Sequence, residues 1–347
     1  MDIEKIGKAI TFLRKRAGYT QKDLAERIGV SDKAVSKWER GLGLPDVSCL
    51  RKLSLLLDTD TDSLLVGDVI YHGSGWHGIL VVEENACGID VRTPIYDKPM
   101  VYYLLSYFLL VGIKEIMIFC SSGEIEWLKK EFGDGNEFGI HLYYSDVSVA
   151  EALRNYPEFT ECTNYMVVYD RSFIYGVDQT RFFQKAMLNK DRITVMSLPK
   201  GTKPHVQKLS FDNDKRIISA EDGEEVNTQY NYYSVPVLFC PKEILDNACE
   251  DIDIIEAIVE SARKEDYLYT EVLDRGFVEI PLDTWDDIAA ASSFVKIVQS
   301  ACGMHIYCLE EIAWRRGMIS AEQLEKMGRN KAETEYGKYI LSLCHEN

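Results

Sequence analysis

The stretch Thr20-Gln-Lys-Asp-Leu-Ala-Glu-Arg-Ile-Gly-Val-Ser-Asp-Lys-Ala-Val-Ser-Lys-Trp-Glu-Arg-Gly41 constrains this chain more than any other. Its apolar spacing predicts two short helices joined by a tight turn. Leu24, Ala25 and Ile28 share one face of the first; Val35 and Trp38 share one face of the second. Ala25 is small where the helices must approach. Gly29 is free to take a positive φ at the turn. Ser31 is placed to cap the second helix through its hydroxyl. Ser31, Asp32, Lys33, Ser36 and Lys37 remain outside on that helix, short and polar.

This pattern resembles the DNA-binding helix-turn-helix of the Cro and phage-repressor (XRE-like) class. The resemblance covers residues 3–66 and implies a compact all-α, five-helix domain whose partner is double-stranded DNA. It implies that Ser31, Asp32, Lys33, Ser36 and Lys37 meet base edges, while Gln21 and Arg40 contact phosphates. It also implies that Arg14 and Glu39 clamp the first helix to the end of the third. Val47, Leu50, Leu53, Leu56 and Leu57 are expected on the core side of a fourth helix, and Thr61 or Asp62 at the start of a fifth.

The charge is divided along the chain. Overall it is −17, but residues 1–57 carry 12 basic and 7 acidic side chains, against 27 and 49 in the remainder. A small basic reader on a large acidic body should touch DNA only through the reader. No apolar run reaches membrane-spanning length. The N-terminus has no signal-peptide pattern. Nine cysteines lie without a C-x-x-C pair, which argues for reduced thiols and a cytoplasmic location.

Three segments are expected: a DNA-binding domain over 1–67, a linker over 68–77, and a large domain over 78–347 with a helical tail from about residue 294. In the large domain, strands are predicted at 78–83, 115–120, 141–145 and 164–170, alternating with helices at 99–111, 124–132 and 148–156. Such alternation implies an α/β, mostly parallel sheet with helices on both faces. Ligands then sit beyond the carboxyl ends of the strands, where Asp170 should lie.

From Pro94-Ile-Tyr-Asp-Lys-Pro-Met-Val-Tyr-Tyr103 onward the chain resembles sugar-nucleotidyltransferases, most of all glucose-1-phosphate thymidylyltransferases. Further support comes from Phe132-Gly-Asp-Gly, Tyr169-Asp-Arg with Tyr175-Gly, Leu282-Asp-Thr, Glu310-Glu-Ile-Ala-Trp-Arg315 and Tyr336-Gly-Lys-Tyr. The resemblance implies a nucleotidyltransferase Rossmann-like fold. It makes Asp170 and Asp283 the counterparts of the pair that holds Mg²⁺. Tyr175, Gly176, Glu311, Ile312 and Arg315 match the two walls of a regulatory nucleotide or sugar-nucleotide pocket.

One departure weighs against catalysis. The family's first strand runs into a G-x-G-x-R loop whose amides cradle a triphosphate and whose Arg stabilises the phosphoryl charge. Here it runs into Val82-Glu-Glu-Asn-Ala-Cys-Gly-Ile-Asp-Val-Arg-Thr-Pro94, without those glycines, with Arg92 as the nearby cation. The family's sugar-contact motifs are also not recognisable at residues 202–206 and 220–225. The expectation is therefore no catalytic residue, no enzyme, and no cofactor beyond residual Mg²⁺ on a vestigial Asp170–Asp283 pair. The chain is read as a DNA-binding transcriptional regulator. Its large domain is expected to act as an inactive sensor and to form a homodimer or homotetramer, with no membrane partner. The alternatives are an active sugar-1-phosphate nucleotidyltransferase that regulates itself, and a repressor whose large domain only dimerises.

Overall fold

The computed structural model describes residues 3–16, 19–57, 59, 61–66, 75–83, 85–199, 208–212, 214–221, 232–246 and 268–344. Residues 68–74 of the expected linker, Glu84, residues 202–206 and residues 222–225 lie outside the described residues. The chain divides into two compact units, Met1–Tyr71 and His72–Asn347.

The first unit is all helical: α1 Ile3–Arg16, α2 Gln21–Ile28, α3 Asp32–Glu39, α4 Val47–Leu56 and α5 Thr61–Val66. Thr20 opens α2 with a capping box closed by Asp23, satisfying two otherwise unpaired amides. Gly29 ends α2 at φ 88°, and Ser31 Oγ accepts the Ala34 amide to start α3. Ile10, Leu13, Leu24, Ala25, Ile28, Val35, Trp38, Leu50 and Leu53 form one buried core. Val47 departs from expectation. It is 82% exposed, because as the first residue of α4 it lies where the helix enters from the surface.

The second unit begins with β1 Trp76–Val81, the short hairpin β2 Pro94–Ile95 and β3 Lys98–Pro99, then α6 Met100–Leu110. β4 Glu115–Phe119, α7 Ser122–Phe132, β5 His141–Ser145, α8 Val149–Asn155, β6 Asn164–Tyr169 and β7 Ser172–Tyr175 follow. Next come α9 Gln179–Met187, β8 Ile193–Pro199, β9 Lys208–Phe211, β10 Ile217–Glu221, β11 Tyr232–Pro241, α10 Lys242–Asp246, β12 Leu268–Val272 and β13 Val278–Pro281. Four helices close the chain: α11 Trp285–Cys302, α12 Leu309–Arg315, α13 Ala321–Asn330 and α14 Glu335–Leu343.

The sheet core is β6-β1-β4-β5, all parallel, and β11 runs antiparallel on the far side of β6. Alternate residues feed opposite faces. Leu80, Ile116, Ile118, Met166 and Val168 enter one core cluster, and Ile79, Met117, Tyr165 and Val167 enter the other. Burial on both faces explains the unbroken apolar runs of these strands. α6 is buried along nearly its whole length. Phe108 of α6 lies so close to β1 that a Cβ on Gly78 would meet its ring at 2.6 Å. The tyrosines of α6 find partners for their hydroxyls: Tyr102 donates to Glu131 (2.6 Å), Tyr103 to the Ile95 carbonyl (2.7 Å) and Tyr107 to the Ile174 carbonyl (3.1 Å).

The closing helices are tied to α6 by charge. Glu310 at the start of α12 is fully buried. It accepts from Lys331 Nζ at 3.0 Å and from the Tyr336 hydroxyl, and Lys331 also donates to Tyr102 (3.0 Å). Removing one partner of a buried pair leaves an uncompensated charge. Lys331→Ala, which leaves the fully buried Glu310 without its cation, should therefore destabilise the chain by about 3–5 kcal/mol. Arg329→Ala, which breaks a pair 71% and 45% exposed, should cost about 0–1 kcal/mol. Urea denaturation of the two variants checks both values.

Candidate functional site

The first candidate surface is the outward side of α3. Ser31, Asp32, Lys33, Lys37 and Arg40 are exposed and Ser36 is half-buried. Asp32 Oδ1 accepts the Lys33 amide at 2.8 Å, and Arg40 Nε donates to the Ser36 carbonyl at 3.2 Å. Ser31 is occupied as the cap, so its hydroxyl has a structural partner as well as an exposed position. Behind this face, Arg14 Nε bonds Glu39 Oε1 at 2.5 Å, and Arg14 also donates to the Tyr19 carbonyl (2.7 Å). Gln21 Nε2 donates to Glu39 Oε2 at 2.6 Å. Glu39 thus orients Gln21 at the first turn of α2. A 530 Å³ hollow there is lined by Arg14, Lys15, Tyr19, Thr20, Gln21, Lys22 and Asp32. With Arg14 held by Glu39, Lys15 and Lys22 against Asp32 leave the hollow positive, which suits a phosphate.

The second candidate lies at the carboxyl ends of β1 and β6. β1 pairs with β4 on one side and β6 on the other. The strand order therefore reverses at β1, and a crevice opens beyond these two strands. Asp170 follows β6 directly; its amide donates to the Val81 carbonyl at 3.2 Å. Asp283 arrives from far along the chain through the antiparallel ribbon β7–β13, in which Ser172 faces Pro281. The Leu282 amide extends the ladder to the Arg171 carbonyl (2.8 Å), so residues 170 and 283 reach the same end. Both line a 280 Å³ cleft with Glu83, Asn85, Arg171 and Met100.

Electrostatically the cleft is acidic. Burial pushes the Asp170 carboxyl up to about 7; the Glu83 amide, 3.3 Å from Oδ1, works against this, and the negative charges of Glu83 and Glu124 add to it. Arg171 forms an ion pair with Glu83. Asn85 Nδ2 donates to the Asp283 carbonyl at 3.1 Å, and Trp285 Nε1 donates to the Cys87 carbonyl at 3.2 Å, pinning the segment after β1. Two carboxylates with room for solvent are hard oxygen donors of the kind Mg²⁺ prefers. Among the described residues no group of three or more His, Cys, Asp or Glu is arranged to hold a metal, so a cation here would complete its shell with water or ligand oxygens. Asp170 and Asp283 are the residues that would hold it.

Arg92, expected as the cation of this region, is engaged elsewhere: its Nε donates to Asp90 Oδ2 at 3.0 Å. The cation that lines the cleft is Arg171. The signal was present in the sequence, as a base directly after the acid at the end of β6.

The residues matched to a regulatory pocket fall into two groups. Tyr175 packs edge-on against Phe294 and Tyr307, and Gly176 lies under Phe277. Glu311 accepts from Arg315 Nε (2.6 Å) and from the Tyr339 hydroxyl (2.6 Å), with Ile312 packed against the core. Tyr175 and Ile312 pack against the same core cluster, and Arg315 holds the Glu311 carboxylate.

Comparisons with known proteins agree with this geometry. Residues 10–64 match the helix-turn-helix family model, and residues 92–302 match the nucleotidyl transferase model. A glucose-1-phosphate thymidylyltransferase of Neisseria meningitidis is 31% identical over 261 residues, covering 72% of this chain and 90% of that protein. Another of that name, from Mycolicibacterium smegmatis, is 28% identical over 282 residues, with the same shares of each chain. A Bacillus anthracis crystal structure described as a glucose-1-phosphate thymidylyltransferase shares the fold, with a TM-score of 0.52 at 14% identity over 63% of this chain and 94% of that one. These relatives overturn the expectation that the chain is no enzyme. Enzymes by name, they match it over most of their length. Inactivity was inferred from the altered loop after β1 and from unrecognised sugar-contact motifs, whereas the scaffold and both acids of the cleft are retained together.

The raised pKa of Asp170 has a definite sign. The folded state keeps a proton that the unfolded chain loses near the ordinary value of 3.8. This contribution is complete below that value and is lost as pH rises through about 7. Asp170→Asn removes the penalty, so the variant should gain on wild type as pH rises from 5 to 8, by on the order of 2–4 kcal/mol. Thermal melts of both proteins across this range test it; a pH-independent difference would refute the assignment.

Proposed function

This chain belongs to the nucleotidyl transferase family and carries a helix-turn-helix ahead of that domain; from the two together we propose that it is a DNA-binding transcriptional regulator whose large unit takes a nucleotide or sugar nucleotide in the Asp170–Asp283 cleft. The observation that carries this reading is the pairing, in one chain, of an exposed polar α3 face with a strand-end cleft lined by Asp170, Asp283 and Arg171. The proposed assembly is a symmetric homodimer or homotetramer, since one small helix-turn-helix buries little surface and this class reads two half-sites about one helical turn apart.

Lys33 and Lys37 are proposed to read bases, with Gln21 and Arg40 on phosphates. Lys33→Ala or Lys37→Ala should cost about 1–3 kcal/mol at a site found by oligonucleotide selection. A protected footprint spanning two half-sites is the expected pattern. Failure to enrich any motif would sink the DNA assignment.

A second reading, nucleotidyl transfer to a sugar 1-phosphate in the same cleft, is favoured by the relatives' names. The two readings are compatible, because both need a metal-bound nucleotide beside Asp170 and Asp283. A divalent cation held there would supply neutralisation of phosphate charge. The chain's own residues would orient the phosphates and exclude water. Losing one preorganised oxyanion donor costs about 10²–10³ in rate. Pyrophosphate release from dTTP, glucose 1-phosphate and Mg²⁺ should therefore be slower than in the relatives by at least that factor, and absent in Asp170→Asn. Turnover unchanged in Asp170→Asn would place the chemistry elsewhere.

A further inference from the structure

Arg171 stands out among the residues of the cleft. It is the one cation among the described lining residues, against Glu83, Asp170 and Asp283. Its backbone is fixed on both sides: Asp170 precedes it at the end of β6, and its carbonyl holds the Leu282 amide next to Asp283. Its side chain is not fixed in the same way, being 58% exposed and paired with Glu83, which is 25% exposed. Glu83 is itself anchored, because its amide donates to Asp170 Oδ1. The pair therefore lies at the edge of the cleft, with its fixed ends inside and the guanidinium reaching outward.

We propose that Arg171 is the phosphate-binding residue of this cleft and that Glu83 is its latch: a metal-bound phosphate ligand displaces Glu83 and takes the guanidinium. This rests on the nucleotide reading of the cleft and names the residue that recognises the phosphate. Three physical points carry it. A guanidinium 58% exposed gains little from its pairing with Glu83, so that pair is open to exchange. A phosphate offers several oxygens to the planar fork of Arg, and these charge-assisted bonds are stronger and more directional. The remaining lining charge is negative, so a free polyphosphate is repelled while its complex with a divalent cation is admitted. Arg171 thereby supplies, from the end of β6, the positive charge that the segment after β1 lacks. No covalent step is involved.

The test is titration calorimetry of the full chain and three variants, Arg171→Ala, Arg171→Lys and Glu83→Gln, with Mg²⁺ and dTTP and, separately, with thymidine. Circular dichroism melts establish that each variant is folded. Arg171→Ala should weaken binding of the Mg²⁺–dTTP complex by about tenfold or more and leave thymidine unaffected. Arg171→Lys should recover part of the loss, because Lys keeps the charge without the fork. Glu83→Gln should tighten the complex by about three- to tenfold, since it releases the latch and keeps the backbone amide in place. Glu83→Gln keeps the proposal open to refutation even where Arg171→Ala fails to fold. If both variants bind the complex as wild type does, the latch is refuted while the nucleotide reading stands. If neither wild type nor Glu83→Gln binds it, the nucleotide reading falls and the latch with it.

Discussion

A parallel sheet buried on both faces leaves polar chemistry nowhere to go but the ends of its strands. In this chain β1, β4 and β6 send alternate side chains into two apolar clusters, and an ionised group within them would meet a desolvation cost of several kcal/mol. The carboxylates therefore collect where β1 and β6 stop. Glu83 and Asp170 are neighbours because their strands pair in register from Trp76 opposite Asn164 to Val81 opposite Tyr169. Asp283 joins them because the β7–β13 ribbon carries the same alignment outward. The acidity of the cleft is thus a consequence of the topology, and the rise in the pKa of Asp170 follows from its position at the boundary between core and solvent.

The same constraint governs the helices. α6 is sandwiched between the sheet and the closing helices, so every polar group it carries must find a partner inside. Its tyrosines do so through backbone carbonyls and acids, and Ser106 Oγ donates to the carbonyl of Tyr102 at 2.7 Å. Asp97, in the hairpin before α6, accepts from Lys98 (2.9 Å), Gln299 (3.1 Å) and His305 (2.7 Å), tying the hairpin to α11 and the loop after it. Lys331, bonded to both Tyr102 and Glu310, links the Pro94–Tyr103 motif to the closing helices in the same way.

What was legible in the sequence follows from what has a local cause. The helix-turn-helix could be read because each of its devices acts within a few residues: a capping box at Thr20, a positive φ at Gly29, a cap at Ser31. The strands of the parallel core could be read because a short, unbroken apolar run bounded by polar residues suits a strand buried on both faces. Val47 misled because an apolar residue at a helix start fits the helical period and still faces solvent. Arg92 misled because sequence proximity to the β1 end suggested a role, whereas it pairs with Asp90 and is not among the residues lining the cleft. Arg171 went unassigned because its meaning depends on Glu83, 88 residues earlier. No periodicity reports a contact of that range.

The loss of one motif counts for less than the retained scaffold around it. A glycine-rich loop binds phosphate through amides that any chain possesses, and its cation is a requirement on charge rather than on sequence position. A basic residue entering from a different strand end can meet the same requirement. The sequence change at residues 83–93 removes a known solution without removing the physical problem, which is how the total charge of the cleft is balanced when a phosphate is present. Three carboxylates and one guanidinium line it among the described residues, so a phosphate there would need a cation of its own to balance the charge. A ligand alters DNA binding only if it binds the DNA-competent and incompetent arrangements with different affinity, and the coupling needed is only about 1–3 kcal/mol. Exchange of an ion pair for a stronger phosphate contact is a local gain; it becomes a signal only where the two arrangements present the cleft differently.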